Sequence, residues 1–80
     1  MSPLPLPQPL TAFASGVCVR LSFLSLLPAE AARLRDLGMR EGSPIHILRN
    51  QDSLICSVDA SRVVLRREVA QQVFGILQPA

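Results

Sequence analysis

The stretch RLRDLGMREGSP, residues 33–44, places two of the chain's four glycines four positions apart, between a helical pattern and an apolar run. Residues 29–37 are good helix formers, and Pro28 suits the first helical position because its missing N–H has no partner there. Gly38 is therefore predicted to end the helix in a left-handed conformation, with Met39 packing back on Leu34. The second glycine, Gly42, is predicted to end a second reversal over residues 39–42 and to start a strand.

Alternating apolar residues on both sides of this junction predict five strands. The first spans 17–23, with Val17, Val19, Leu21 and Phe23 facing inward. A hairpin over 44–49 and 54–58 follows, looped at 50–53, with Ile45 opposite Val58, Ile47 opposite Cys56 and Arg49 opposite Leu54. After a turn at 59–60, strands at 62–66 and 73–77 flank a helical turn at 68–72. The predicted fold is mainly β: a small five-stranded barrel with one inserted helix and a short helical turn before the last strand.

Eighty residues make one domain with an aliphatic core, since only three residues are aromatic. The net charge is +2, and all eight basic residues are arginines spread along the chain. The lack of lysine and of outward aromatics argues against nucleic-acid binding. The alternate prolines predict a flexible tail over residues 1–9 that does not pair in a sheet, leaving 10–80 as the domain. They also argue against a signal peptide or membrane span, which favours the cytoplasm and reduced thiols.

Four motifs together resemble the FeoA family of bacterial ferrous iron uptake. They are Leu10-x-x-Phe13-x-x-Gly16, RLxxLGMxxG at 33–42, Ile45-x-Ile47, and VLRREVA at 64–70. The resemblance implies a Src-homology-3-like (SH3-like) barrel that binds and modulates FeoB, a membrane iron transporter with a cytosolic G-protein domain. The four-residue loop at 50–53 is shorter than is usual in that family. The domain also resembles the C-terminal module of metal-dependent repressors of the diphtheria-toxin-repressor type.

Catalytic and metal-binding patterns are weak. The sole histidine, His46, has no nucleophile motif, paired carboxylates or phosphate loop to act with, so an enzyme is not expected. The strand phases place Cys18 outward and Cys56 inward, which disfavours both a disulfide and a two-cysteine site. No cofactor is required, and His46 is the one weak surface candidate for a divalent ion, Fe or Zn, shared with a second chain in a weak homo-oligomer.

Protein–protein contact is the best-supported class of function. Leu48 and Ile55 are predicted to face outward, opposite one another, and Leu24, Leu26 and Leu27 add apolar surface before the helix. Met39, in the glycine-flanked turn, is a further candidate. The competing interpretation is that the helix covers these side chains. An uncovered patch would mark a contact surface. The alternative function is a small-barrel RNA-binding module.

Overall fold

Six strands form one antiparallel sheet in the computed structural model, which describes residues 6–79. The mainly β, SH3-like fold is confirmed, with one strand more than predicted. The sheet order is β1-β6-β2-β3-β4-β5, so β1 and β5 lie at its edges. The strands are β1 (Gln8–Pro9), β2 (Cys18–Leu24), β3 (Pro44–Asn50), β4 (Ser53–Val58), β5 (Ser61–Arg66) and β6 (Val73–Leu77); the helices are a 3-10 turn (Leu10–Ala12), α1 (Pro28–Asp36) and α2 (Arg67–Ala70).

The additional strand, β1, corrects the predicted tail. Gln8 pairs with Gly75 and Pro9 pairs with Phe74, so these two residues belong to the sheet. Proline is tolerated there because β1 is an edge strand, where a missing N–H can face away from the ladder. The prediction that nothing before residue 10 pairs in a sheet is therefore wrong for Gln8 and Pro9, and residues 1–5 lie outside the described residues.

One aliphatic cluster fills the space enclosed by the sheet. Alternate residues of β3, β4 and β5 are buried and their neighbours are mostly exposed, which is the expected period of two. The 3-10 turn adds Leu10 and the helix α1 adds Leu34. The cluster consists of Leu10, Val19, Leu21, Leu34, Met39, Ile45, Ile47, Leu54, Cys56, Val58, Val63, Leu65, Ala70 and Val73.

A β-bulge in β2 reverses its alternation. The register with β6 shifts between Leu21 and Phe23, and beyond it Phe23 pairs with Phe74. Phe23 is 44% exposed, whereas Leu24 packs against the core. The prediction that Phe23 faces inward is therefore wrong, because one extra residue moves every later side chain to the opposite face.

A second bulge, in β3, corrects the hairpin register. Ile47 lies opposite Cys56 as predicted, but Leu48 and Arg49 then share the place opposite Ile55. Asn50, not Arg49, lies opposite Leu54. The bulge keeps the Arg49 guanidinium in water, where a charge is least costly. It also turns Asn50 inward, where its amide nitrogen donates to the carbonyl oxygens of Thr11 at 2.9 Å and Phe13 at 2.7 Å.

The helix stop follows the sequence closely. Gly38 has φ +101°, and its N–H donates to the carbonyl oxygen of Arg35 at 3.0 Å. The backbone N–H of Met39 donates to the carbonyl oxygen of Leu34 at 2.9 Å, so both hydrogen bonds of a Schellman motif are present. The second reversal falls one residue later than predicted, at 40–43, with Gly42 at φ +88°.

The remaining elements confirm the predicted order with small shifts at their ends. Asp59 and Ala60 have φ +49° and +64°, which makes the β4–β5 connection a two-residue type I′ turn. Val63 and Leu65 are buried, as predicted. The helical turn α2 covers 67–70 rather than 68–72, and β6 matches the predicted 73–77.

Candidate partner-binding surface

The strands carry only basic charge, and the acidic side chains lie outside them. All four charged residues in the strands are arginines, Arg20, Arg49, Arg62 and Arg66, and all four are exposed. The six carboxylates of the chain lie in helices and turns instead. The outer face of the sheet is therefore cationic.

An apolar patch lies on this outer face where three strands adjoin. Arg49, Ile55 and Val64 form one cross-strand row, and Leu48 shares the bulge with Arg49. Val64 is 63% exposed and Leu48 37% exposed, while Ile55 is half-buried. We call Leu48, Ile55 and Val64 the outer apolar patch.

Arginines surround the outer apolar patch on several sides. Arg62 and Arg66 precede and follow Val64 by two positions on β5, so their side chains share its face. Their partners on β4 are Ser57 and Ser53, which add no negative charge. The patch thus combines an apolar centre with a positive rim.

A groove adjoins the patch along the free edge of β5. Its volume is about 400 Å³, and one wall is β5 from Val63 to Arg66. The facing wall consists of Glu30, Arg33 and Leu34 of α1 and Leu37, the residue that follows the helix. Leu37 is 51% exposed, so the groove is open and partly apolar.

The predicted partner-binding residues separate into core and surface. Met39 is fully buried, so the prediction that its side chain presents a contact surface is wrong. Leu24 packs against the core but is only half-buried, and its part in a contact surface stays a prediction. Met39 is drawn inward by the hydrogen bonds of the helix stop, and Leu24 by the β2 bulge. Leu27 is 70% exposed at the start of α1, away from the core. Leu48 and Ile55 lie on the outer face, as predicted.

One surface feature escaped the sequence analysis. The rings of Phe23 and Phe74 stack on the outer face with centroids 4.6 Å apart and planes 11° from parallel. The expected lack of outward aromatics is therefore wrong. The Phe23-Leu24 pair could have signalled a bulge, since either residue can fill an inward position, but the pattern does not say which one does.

The candidate metal ligand lies on the same face. His46 is opposite Cys18, and both are exposed. The Nε2 atom of His46 is 3.1 Å from the carbonyl oxygen of Gly16, which fixes Nε2 as the donor in that contact. Within residues 6–79, no three histidine, cysteine or carboxylate side chains converge on a common point. A metal at His46 stays a prediction.

Cys56 occupies the opposite environment from Cys18. It is fully buried in the core, opposite Ile47, as the strand phases predicted. Burial raises the pKa of the Cys56 thiol to about 11, because the interior disfavours the thiolate. The thiol therefore behaves as a small apolar side chain at neutral pH.

Solved structures share this architecture. An iron uptake regulatory protein, FeoA, superposes with a TM-score of 0.81 at 19% identity, covering 91% of this chain and 99% of its own. FeoA from Chlorobium tepidum superposes with a TM-score of 0.81 at 23% identity, covering 91% of this chain and 73% of its own. IdeR from T. acidophilum gives 0.84 at 16% identity, with 98% of this chain matching 37% of that longer protein. At these identities the likeness shows the fold.

Sequence comparison supplies the family. No match was found among curated proteins. None of the helices between residues 6 and 79 has the length and apolar character needed to cross a membrane. The model of the FeoA domain matches residues 8–76, which takes in β1, the helix stop and every later element through most of β6. The chain therefore belongs to the FeoA domain family.

Proposed function

We propose that this chain is a small cytosolic accessory protein of ferrous iron uptake. It acts by contact with the cytosolic domain of a FeoB-type membrane transporter and modulates the activity of that transporter. Membership of the FeoA domain family supports the link to ferrous iron transport. The proposal that the chain acts by protein–protein contact is supported by the side chains on its surface.

The observation that carries the proposal is the outer apolar patch with its arginine rim. Val64 keeps 63% of its surface exposed on a strand flanked by Arg62 and Arg66. Burying a side chain of this size against a partner is worth up to about 1.5–3 kcal/mol. The arginines favour a partner with carboxylates around an apolar centre and speed its encounter with the chain. No cofactor is needed for this mode of action.

Membrane pull-down tests the proposal. Membranes that carry the transporter should retain the wild-type chain, and membranes without it should not. A Leu77→Ser variant, which changes an exposed apolar residue of β6 away from the patch, should be retained like the wild type. Equal retention on both kinds of membrane would contradict the proposal.

The alternative is a small-barrel RNA-binding module, and one observation favours it. The outward stack of Phe23 and Phe74 includes a ring from β2, the strand that also carries Arg20, and so offers an aromatic and basic surface of the kind that stacks on unpaired bases. Titration with single-stranded RNA at physiological salt separates the two functions. Saturable binding that Phe23→Ala weakens would support the alternative, and no binding would exclude it.

A further inference from the structure

We propose that the transporter reaches this chain through an extended segment that adds as a seventh strand to the free edge of β5. The segment carries an acidic residue, three apolar residues and a second acidic residue in sequence. This inference deepens the proposed function and depends on it only for the identity of the partner protein.

The free edge of β5 offers unpaired backbone groups. The turn between β4 and β5 contains two residues, so the pair that flanks it is hydrogen-bonded and bonded pairs alternate from there. Val63 and Leu65 therefore bond to β4, while Arg62 and Val64 direct their N–H and C=O groups to the open edge. Outside its pairing with β4, no backbone hydrogen bond joins β5 to another of the described residues.

The groove between β5 and α1 gives an added strand a place to lie. It runs along β5 from Val63 to Arg66, and α1 forms the wall on the far side. The inward side chains of an added strand would lie beside Val63 and Leu65 and meet Leu37 at the end of α1. Apolar residues are needed at those positions, because the floor of the groove belongs to the aliphatic core.

The outer side chains of β5 specify the rest of the segment. Arg62, Val64 and Arg66 alternate on the outer face, so a facing strand that is acidic, apolar and acidic at the matching positions is complementary. Together with two inward apolar residues, this gives the pattern acidic-apolar-apolar-apolar-acidic. The pattern reads the same in both directions, and antiparallel pairing is the more stable arrangement.

Charge also argues against a second copy of this chain as the occupant. An antiparallel pair of two β5 strands centred on Val64 would place Arg62 of each copy directly opposite Arg66 of the other. Like charges in direct opposition destabilise a strand pair. Arginines on an edge strand discourage self-association in this way and leave the edge open to an acidic strand.

A labelled peptide provides the test. The probe is fluorescein-labelled Ser-Glu-Val-Ile-Val-Glu-Ser, its matched control has lysine in place of both glutamates, and binding is read by anisotropy. The acidic peptide should bind the wild-type chain saturably, and the lysine peptide should bind at least about tenfold more weakly. No binding of the acidic peptide, or equal binding of the two peptides, would overturn the proposal.

Variants of the chain separate backbone pairing from charge. Val64→Pro removes an edge N–H without removing a bond to β4, whereas Val64→Thr changes the apolar side chain but keeps that N–H. Val64→Pro should therefore bind the acidic peptide at least about tenfold more weakly than Val64→Thr does. An Arg62→Glu/Arg66→Glu variant should exchange the preference and bind the lysine peptide. This charge exchange keeps the test decisive even if the proline variant fails to fold. Unchanged preference in the charge variant would overturn the proposal.

The transporter domain distinguishes failure of this inference from failure of the proposed function. If wild type and Val64→Pro, both shown to be folded by circular dichroism, bind the isolated cytosolic domain equally, strand addition is wrong and the partnership stands. If neither the wild type nor any variant binds that domain, the partnership fails. If the wild type binds that domain and Val64→Pro does not, both the strand addition and the partnership with the transporter are supported.

Discussion

The backbone N–H of Met39 donates a 2.9 Å hydrogen bond to the carbonyl oxygen of Leu34, and both side chains lie in the core. This bond crosses Gly38, whose φ of +101° makes it geometrically accessible. The helix end, the first turn and one corner of the core thus depend on a single residue without a side chain.

Gly38→Val should lower the free energy of unfolding by at least about 2 kcal/mol. A β-branched residue resists positive φ at a cost of roughly 1–2 kcal/mol, and a Cβ at this position would lie 2.6 Å from Oδ2 of Asp59. Gly16→Val is the matched control, because Gly16 also has positive φ but its Cβ would meet nothing within 4 Å. Urea unfolding should rank Gly38→Val below Gly16→Val, and equal losses would show that crowding at Asp59 is unimportant.

Ala60→Gly should stabilise the chain by about 1 kcal/mol. Ala60 holds φ +64° in the β4–β5 turn, a conformation that costs an alanine energy and a glycine almost none. Thermal melting measures the gain. Ala14→Gly is the control, since Ala14 is exposed and is not among the residues with positive φ, and it should be neutral or destabilising. A lower melting temperature for Ala60→Gly would contradict the type I′ turn.

Cys56 should make stability depend on pH above neutrality. Its folded pKa of about 11 exceeds the ordinary value of 9.0, so the folded state holds the thiol proton more tightly than the unfolded chain does. The free energy of unfolding should therefore be constant with respect to this group below about pH 9 and should fall as the pH rises toward 11. Two pKa units correspond to about 2–3 kcal/mol. The chain has no lysine or tyrosine, so cysteine is its only type of side chain with an ordinary pKa in this range.

Urea unfolding at intervals from about pH 8 to about pH 11 measures this dependence. Cys56→Ala should flatten the pH profile, although it lowers stability at every pH by leaving a cavity. Cys18→Ser, which changes the exposed thiol, should retain the wild-type slope. If the slope disappears in Cys18→Ser and not in Cys56→Ala, the prediction for Cys56 is wrong.

Asn50→Asp should destabilise the hairpin by about 1–3 kcal/mol. The side chain keeps its shape but loses the N–H groups that bond to the carbonyl oxygens of Thr11 and Phe13, leaving both acceptors facing a carboxylate. The new carboxylate could still accept from Arg67, as Oδ1 of Asn50 does now at 3.2 Å. Chemical denaturation compares it with Gln51→Ala, an exposed neighbour that should be neutral, and equal stability of the two variants would show that the amide donors contribute nothing.

Regular features of the fold, such as alternating strands, can be predicted from the sequence, whereas single irregularities such as the two β-bulges cannot. Glycine spacing locates the helix stop, and alternation locates the later strands and the Ile47–Cys56 pairing. Both bulges escape, because each inserts one residue into a pattern that remains acceptable without it. Between Leu48 and Arg49 the alternation predicts an inward arginine, and only the cost of burying that charge signals an error.

The candidate surface depends on these single events. The β3 bulge sets Arg49 beside Ile55, and the β2 bulge exposes Phe23. Val64 was predictable as outward from its place between Val63 and Leu65. Its importance was not, because the sequence does not reveal that β5 is an edge strand with α1 beside it.

Calorimetric titration of the transporter's isolated cytosolic domain with this chain tests the central claim most directly. The wild type should bind, and Leu48→Ser/Val64→Ser should bind at least about tenfold more weakly, since about 1.4 kcal/mol of lost apolar burial is enough for that factor. Both changes lie on the outer face, so circular dichroism should show a folded variant, and Leu77→Ser should bind like the wild type. Equal binding by the wild type and a folded Leu48→Ser/Val64→Ser variant would contradict the account.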